Sequence, residues 1–516
     1  MAEKYDIVVI GAGLGGLVAA ALLARAGRKV VVLERNASVG GAASTYKMGD
    51  LVIEGSLHET ADPRDPFDPK HHVLKRIGVL DEIQWVPVGA FYEVRGGPVG
   101  DPFLLPDNFA AARETLDRRF PEARGGTARI LGDMQRITAC VGGLARGREA
   151  LRNPRALLPM LRGLPPILRD WRRSLNEVFA HAFGDNEAVK CALAANLGYY
   201  HDDPKTLWWI FFALAQGGYL QSGGCFIRGG SRRLSSAIAR VIKAVGGDIL
   251  LRRQVNEIRL GGDGNPTAVV HAGRDGKDPV EVAADIVVSN VAPALTAEML
   301  PEPARGALHK AYEAEPPSTS LFALTLGLSV PPKQFGLRAY SNFLLPPWIK
   351  QFADFPRSAD VFADMPGTKM PSFVVVDYTH IDSGLGGPPY PVSVVGLDRV
   401  SNWERLDKAA YEDKRKRWLD AIVATIDNAY PGFASHVTVS TFSTASTMQS
   451  YLAAPFGAVY GFAPRPPSGP IWRGFERSPR TPVPHLYLAS SYAGSGGFTG
   501  ATMSGGAAAD RILAET

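Results

Sequence analysis

Apolar residues run through positions 7–10, give way to a glycine turn, and resume as an Ala/Leu-rich stretch that lasts to Ala26. A second apolar run then ends in charge at Glu34. Short β-branched runs flanking a helix-length segment predict a strand over residues 5–10, a helix over 13–26 and a strand over 29–34, the start of a βαβ unit. Helical spacing returns after Gly229 and Gly230, with Leu234, Ile238, Val241 and Ile242 on one face, and passes through Gly246 and Gly247 to a strand over 248–251. Residues 284–290 read as another buried strand. Residues 321–328 predict the first strand of a second sheet, which the runs at 373–376 and 392–395 extend. A long amphipathic helix over 407–428 follows. A strand over 486–490, a glycine cluster and a helix over 499–513 come last. Between about residues 62 and 221, Pro-rich stretches, helical patterns and aromatics read as an insertion, not as a continuation of the first sheet.

The glycine turn is the first chemical signal. Gly11, Ala12, Gly13, Leu14, Gly15 and Gly16 follow a hydrophobic strand and open an apolar helix, the context that a dinucleotide fingerprint requires. Gly11 permits the tight turn, Gly13 lets a backbone approach a pyrophosphate, and Gly16 lets helix pack on strand. The free N–H groups of the helix start favour a diphosphate. Glu34 ends the second strand, where it can accept hydrogen bonds from a ribose diol. Both NAD and FAD use this arrangement. The later residues favour FAD: Gly40 and Gly41 add a second glycine pair, and the cluster from Gly494 to Gly500 opens a further helix whose N-terminus suits the electron-rich edge of a reduced flavin. The alternative for that cluster is a flexible hinge.

Composition narrows the field. At 516 residues the chain implies two or three domains, given roughly 100–200 residues per domain. Hydrophobic residues at 46% and charged residues at 21% are those of a globular protein, and a net charge of +5 falls short of a nucleic-acid signature. Cys140, Cys191 and Cys225 form no CxxC pair, so neither a disulfide framework, a zinc site nor dithiol chemistry is expected. The uncharged stretch 7–24 has the length of a membrane span or signal segment, but its fingerprint glycines and Asp6 argue against both. The chain reads as cytoplasmic.

With these motifs in view, the stretches GAGLGGLVAAALLARAGRKVVVLER, VGG, GGSRRLSSAIARVIKAVGGDILLRRQVNEI, ADIVVSN and LYLASSYAGSGGFTGATMSGGAAADRIL resemble the phytoene desaturase, carotenoid isomerase and retinol saturase group, within the amine-oxidase-like flavoproteins. Residues 403–462, with PGF and YLAAPFGAVYGF, resemble that group too, and the likeness is weakest between about 62 and 175. The resemblance implies FAD contacts at Gly11 to Gly16, Glu34, Arg35, Gly40, Gly41 and Ala42, an adenine-side contact at Val255, and flavin-side contacts at Ser490, Ser491, Phe498, Thr499 and Met503. Two departures stand out. Ala42 occupies the place of an arginine found in many relatives, and Glu54 with Gly55 replaces an Asp-containing motif, which together tilt the reading toward the saturase and isomerase members.

The expected fold is therefore α/β: a discontinuous FAD-binding Rossmann-type domain (1–70, 222–300 and 440–516) joined to a mixed α/β substrate domain (71–221 and 301–439) with a helical insertion. The expected function is FAD-dependent desaturation, saturation or isomerisation of a carbon–carbon bond in a lipophilic, isoprenoid-like substrate, with oxygen or a quinone as electron acceptor. A flavin amine oxidase and a non-catalytic flavin scaffold or lipid carrier are the alternatives. One fingerprint without a second βαβ unit predicts no stable nicotinamide site.

His58 follows the Glu54-Gly55 turn in a segment that the resemblance places near the flavin, and it is a candidate proton donor or acceptor as well as a structural histidine. Glu59 is a further candidate for the same role, with a solvated surface carboxylate as the reading its type favours. His71 and His72 lack metal-site spacing. Trp208 to Phe212, with Tyr199, Tyr200 and Tyr219, fit either an apolar tunnel or ordinary core. Residues 151–173 interleave arginines with Leu, Met, Ile and Trp, fitting a peripheral contact with an anionic membrane or a solvated surface. Pro154, Pro159, Pro165 and Pro166 are expected to break any long helix there.

Overall fold

The computed structural model describes residues 4–55, 58–145, 154–473 and 477–516. Its first sheet has seven strands. Asp248–Leu251, Val30–Glu34, Lys4–Ile10 and Val280–Ser289 lie side by side in that order, all parallel. Leu486–Leu488 adds in parallel to the end of Val280–Ser289, and Pro266–Ala272 and Gln254–Leu260 continue the sheet antiparallel from its start. Val30 to Leu33 and Val8 to Ile10 are buried throughout, which is why their runs are continuous instead of alternating.

Helix Leu14–Arg25 packs on this sheet together with two further helices, Arg232–Ala244 and Gly497–Glu515, which also touch it. Residues 14–24 of it are all buried. Small residues set the spacing: a Cβ on Gly505 would stand 2.3 Å from the Gly15 carbonyl oxygen, so the last helix presses directly on the first turn of the first. The first and last helices thereby share one layer on this sheet.

The second sheet also has seven strands, in the order Val437–Ser443, Ser320–Leu328, Tyr390–Asp398, Phe373–Asp377, Ser341–Leu345, Tyr92–Gly96 and Gly100–Leu105. The hairpin 92–105, in the stretch read as inserted, joins through a parallel pairing with Ser341–Leu345. Period-two alternation divides the faces of strand Ser320–Leu328. Phe322, Leu324 and Leu326 pack with Trp418, Ile422 and Ile426 of helix Lys408–Ala429. Leu321, Ala323 and Thr325 face a large cavity on the other side.

Helix Arg124–Ala145 packs on Pro154–Asp170 and Trp209–Ser222 to cover that cavity's far end. The expected break at the prolines does not occur, since one helix runs from Pro154 to Asp170. Pro154 occupies the first turn, where its missing N–H is of no consequence. Tertiary packing compensates for the interior prolines: a Cβ on Gly163 would lie 2.3 Å from Cys140 Cβ, Ile167 is buried, and Arg169 pairs with Asp133 and Asp170 at 2.5 and 2.6 Å. Among the described residues, no helix is long and apolar enough to cross a membrane.

Candidate active site

The fingerprint turn is shaped by a residue that sequence reading did not single out. Asn290, at the end of the neighbouring strand, reaches under the turn. A Cβ on Gly13 would lie 2.6 Å from its Nδ2, and one on Gly16 would lie 2.9 Å from its Cβ. Gly15 is held as tightly from the other side, where a Cβ would come within 1.9 Å of the Ala489 carbonyl oxygen. Gly11 has φ +93, open to glycine without strain. Gly40 donates its N–H to the Ala12 carbonyl at 2.8 Å, joining the second glycine pair to the first.

Two helix N-termini border the resulting cavity, whose volume is about 960 Å³. That is the upper end of the range of about 300–1,000 Å³ for ligand sites. Helix Leu14–Arg25 begins at Gly13 and helix Gly497–Glu515 at Gly496. Neither has a side-chain cap or an acidic residue in its first turn. The first four N–H groups of a helix have no partner within it, so both starts present donors and positive potential to an anion or an electron-rich ring. A group that is anionic at one end and aromatic at the other fits these walls.

Of the residues expected at the cofactor, Gly11, Gly13, Leu14, Gly15, Glu34, Arg35, Gly40, Gly41, Ala42, Val255, Ser490, Ser491, Phe498, Thr499 and Met503 line this one cavity, as does His58. Ala12 and Gly16 do not. Ala12 instead donates its N–H to Glu34 Oε2 at 2.8 Å, and Gly16 is spent on close packing of helix against strand. The other Glu34 oxygen accepts from Asn36 N–H at 2.7 Å, so two backbone donors orient the carboxylate while lone pairs remain for a ligand. Arg35 donates to the carbonyls of Ser450 and Tyr451, at 3.1 and 2.5 Å.

Glu54 is structural. It accepts from Thr45 Oγ1 at 2.7 Å and from the N–H and hydroxyl of Ser231 at 2.9 and 2.5 Å, tying a hairpin to the start of helix Arg232–Ala244. Beside the last helix lies a second unforeseen group, a fully buried ion pair. Lys70 Nζ donates to Asp68 Oδ2 at 2.7 Å and to Thr499 Oγ1 at 3.1 Å. Burial pushes the Asp68 carboxyl up, against the lowering effect of Lys70.

Taken together, a Rossmann-type sheet, a doubly glycine-lined cavity and a second mixed sheet match a known plan. The profile described as flavin containing amine oxidoreductase matches residues 14–513. The chain belongs to this family. It is accordingly a flavin-dependent oxidoreductase in an amine-oxidase-like superfamily whose general cofactor is FAD.

Within it, the chain is 24% identical to an all-trans-retinol 13,14-reductase of Danio rerio over 523 residues, covering 97% of this chain and 84% of that one. It is 28% identical over 302 residues to a phytoene desaturase (neurosporene-forming) of Rhodobacter capsulatus, covering 55% and 52%. A crystal structure of an oxidoreductase from Methanosarcina mazei has the same fold, with a TM-score of 0.63, 17% identity and coverage of 98% and 99%. The family member described here is thus related to enzymes of retinoid and carotenoid substrates.

At the far end of the cavity the walls are aromatic. The run at 208–212 divides: Trp208, Trp209, Ile210 and Phe212 are core, whereas Phe211 lines the cavity with Tyr199, Tyr200 and Tyr219. Among the described residues, no lysine lines it. His58 is buried, its Nδ1 lies 2.8 Å from the Tyr378 hydroxyl, and its carbonyl accepts from the Tyr340 hydroxyl at 2.6 Å. Burial lowers its imidazole to about 4, so it is neutral at pH 7.

Glu59 is not solvated as expected. It is 7% exposed, and neither carboxyl oxygen has a hydrogen-bond partner. Strand Thr60–Ala61 pairs with Gly224–Ile227, and this pairing draws residue 59 inside. A Cβ on Gly224 would lie 3.5 Å from Glu59 Oε2, and the Tyr219 hydroxyl donates to the Glu59 carbonyl at 3.2 Å.

Proposed function

We propose that this enzyme desaturates, saturates or isomerises a carbon–carbon bond in an apolar, isoprenoid-like substrate, using FAD bound along the glycine-lined part of the cavity. The observation that carries the reading is the continuity of the cavity: the two helix starts lie at one part of its wall and Phe211, Leu214, Leu321 and Val395 at another. The retinol reductase and the phytoene desaturase act on substrates of that class.

In this reading the Leu14–Arg25 helix start and the amides around Gly40, Gly41 and Ala42 hold the diphosphate, Glu34 the ribose, and the Val255 segment the adenine. Ser490, Ser491, Phe498, Thr499 and Met503, which line the cavity, would border the isoalloxazine. When bound there, FAD supplies two-electron oxidation or reduction of the substrate. The protein's own part is to exclude water, orient the chain against the aromatic wall and hold one proton-exchanging group. We assign that last role to His58, because its neutral ring is held by Tyr378 on the cavity wall. Oxygen or a quinone is the proposed electron acceptor. The proposed domain division keeps the first sheet in one unit and the second in the other, except that its boundary at residue 440 falls inside strand Val437–Ser443 of the second sheet.

The substrate is proposed to arrive from a membrane surface. Helix Pro154–Asp170 exposes Leu161, Leu164 and Leu168 beside Arg162 and Arg169. Trp171 and Arg172 hold the loop at Gly469 and Ser468, close in sequence to Trp472, which is 84% exposed. An apolar stripe bordered by arginines suits an anionic bilayer.

The test is anaerobic titration of the holoenzyme, followed by its visible spectrum. A polyene or isoprenoid should bleach the oxidised flavin or, after prior chemical reduction, restore its colour. Bleaching by primary amines but not by polyenes would favour amine oxidation. A spectrum unmoved by every donor and acceptor would favour the lipid-carrier reading.

A further inference from the structure

Among the described residues that line this cavity, Glu59 is the carboxyl with neither oxygen hydrogen-bonded, and the hydroxyls of Tyr199 and Tyr492 are unpartnered as well. A carboxyl in an apolar environment normally has partners, because leaving its oxygens without hydrogen bonds is costly. Here both are shielded from solvent and unpartnered, on a wall shared with Tyr199, Tyr200 and Tyr219. None of those phenols donates to it. Tyr200 is bonded to Gln216 and Asn196, and Tyr219 to the Glu59 backbone carbonyl. The local fold thus delivers a polar group into an aromatic pocket and leaves its side chain unused, which is the arrangement of a ligand-binding donor and acceptor awaiting its partner.

Resting on the function proposed above, we infer that Glu59 is the anchor for one uncharged hydrogen-bonding group, a hydroxyl or a carbonyl, at the polar end of an otherwise apolar substrate. A protonated carboxyl donates to a carbonyl through its O–H and accepts from a hydroxyl through its C=O. Burial favours this neutral form, raising the group to about 8. A pure hydrocarbon would leave both oxygens unsatisfied after expelling any water. A hydrogen-bonding end group satisfies them, so the site discriminates through the cost of the unmade bond as well as the gain of the made one.

The experiment uses the intact holoenzyme and three probes of one skeleton: farnesol, farnesene and farnesylamine. Affinity is read twice, by perturbation of the flavin spectrum and by quenching of tryptophan fluorescence, the second of which does not require flavin. Wild type should bind farnesol about tenfold tighter than farnesene. Glu59→Gln, which keeps a donor and an acceptor, should hold that preference within about threefold, and Glu59→Leu should erase it by weakening farnesol alone. Flavin content, measured alongside, should be the same in all three proteins. Equal affinity for farnesol and farnesene in wild type would overturn the inference, as would an equal loss of both in Glu59→Leu. Tightest binding by farnesylamine, abolished in Glu59→Gln, would also overturn it in favour of an ammonium site. Retained alcohol selectivity in a protein whose flavin no substrate bleaches would refute the redox reading and leave this site standing.

Discussion

Replacing Glu59 with glutamine should change how stability depends on pH. Burial raises the Glu59 carboxyl from an ordinary 4.5 to about 8, so across that window the folded protein holds a proton that the unfolded chain has released. Stability therefore falls as pH rises from 4.5 toward 8, and the penalty is absent below 4.5 and complete above 8. One pH unit in this window corresponds to about 1.4 kcal/mol, which local relaxation reduces to about 1 kcal/mol. For 516 residues at about 2.1 cal/mol/K each, the unfolding entropy is about 1.1 kcal/mol/K, so wild type should lose about 1 °C of apparent Tm per pH unit relative to Glu59→Gln.

The surroundings do not obscure the effect. Burial raises Tyr92, Tyr199, Tyr200, Tyr219, Tyr340 and Cys225 and lowers His58 to about 4, so all stay neutral from about pH 5 to about pH 8. Thermal scans of both proteins at one scan rate, from about pH 5 to about pH 8, should show a difference that widens by about 3 °C. A constant difference would refute the argument, and so would one that narrows with rising pH.

Four other outcomes follow from the same geometry. Gly15→Ala places a methyl group 1.9 Å from the Ala489 carbonyl, so the purified protein should lose most of its bound flavin and about 2 kcal/mol or more of stability, read as visible absorbance per protein and as Tm. Lys70→Met leaves Asp68 buried without its cation and should cost about 3–5 kcal/mol in unfolding experiments, with partial recovery in the double variant carrying Asp68→Asn. His58→Asn should slow substrate-dependent flavin bleaching by about 100-fold or more while flavin content is unchanged, and an unaltered rate would remove His58 from the chemistry. Leu161→Asp with Leu168→Asp should abolish co-sedimentation with phosphatidylserine vesicles and spare turnover of detergent-solubilised substrate.

The first sheet was legible because its determinants are local. Buried strands show continuous apolar runs, and the Gly11 to Gly16 turn announces itself by spacing. The position of Ala12 behind the cavity wall was not legible, because it depends on how the Glu34 carboxylate fills the space beneath the turn, whereas the packing role of Gly16 follows from the fingerprint spacing. Asn290 did carry a signal, since it ends the apolar run ADIVVS at the edge where the strand order places a ligand. The hairpin 92–105 joined the second sheet through a strand some 250 residues away (342 against 93), a pairing that no local pattern encodes. Glu59 was misread for the same reason. A lone glutamate is solvated by default, and its burial follows from strands Thr60–Ala61 and Gly224–Ile227 closing over it. The prolines of helix Pro154–Asp170 show packing overriding propensity.

Reconstitution tests the central claim most directly. Protein stripped of small molecules and incubated with excess FAD should take up one flavin per chain, acquire the visible flavin absorption band, and lose that band when an isoprenoid or polyene substrate is added without oxygen. A protein that stays colourless with FAD in excess would contradict the whole account.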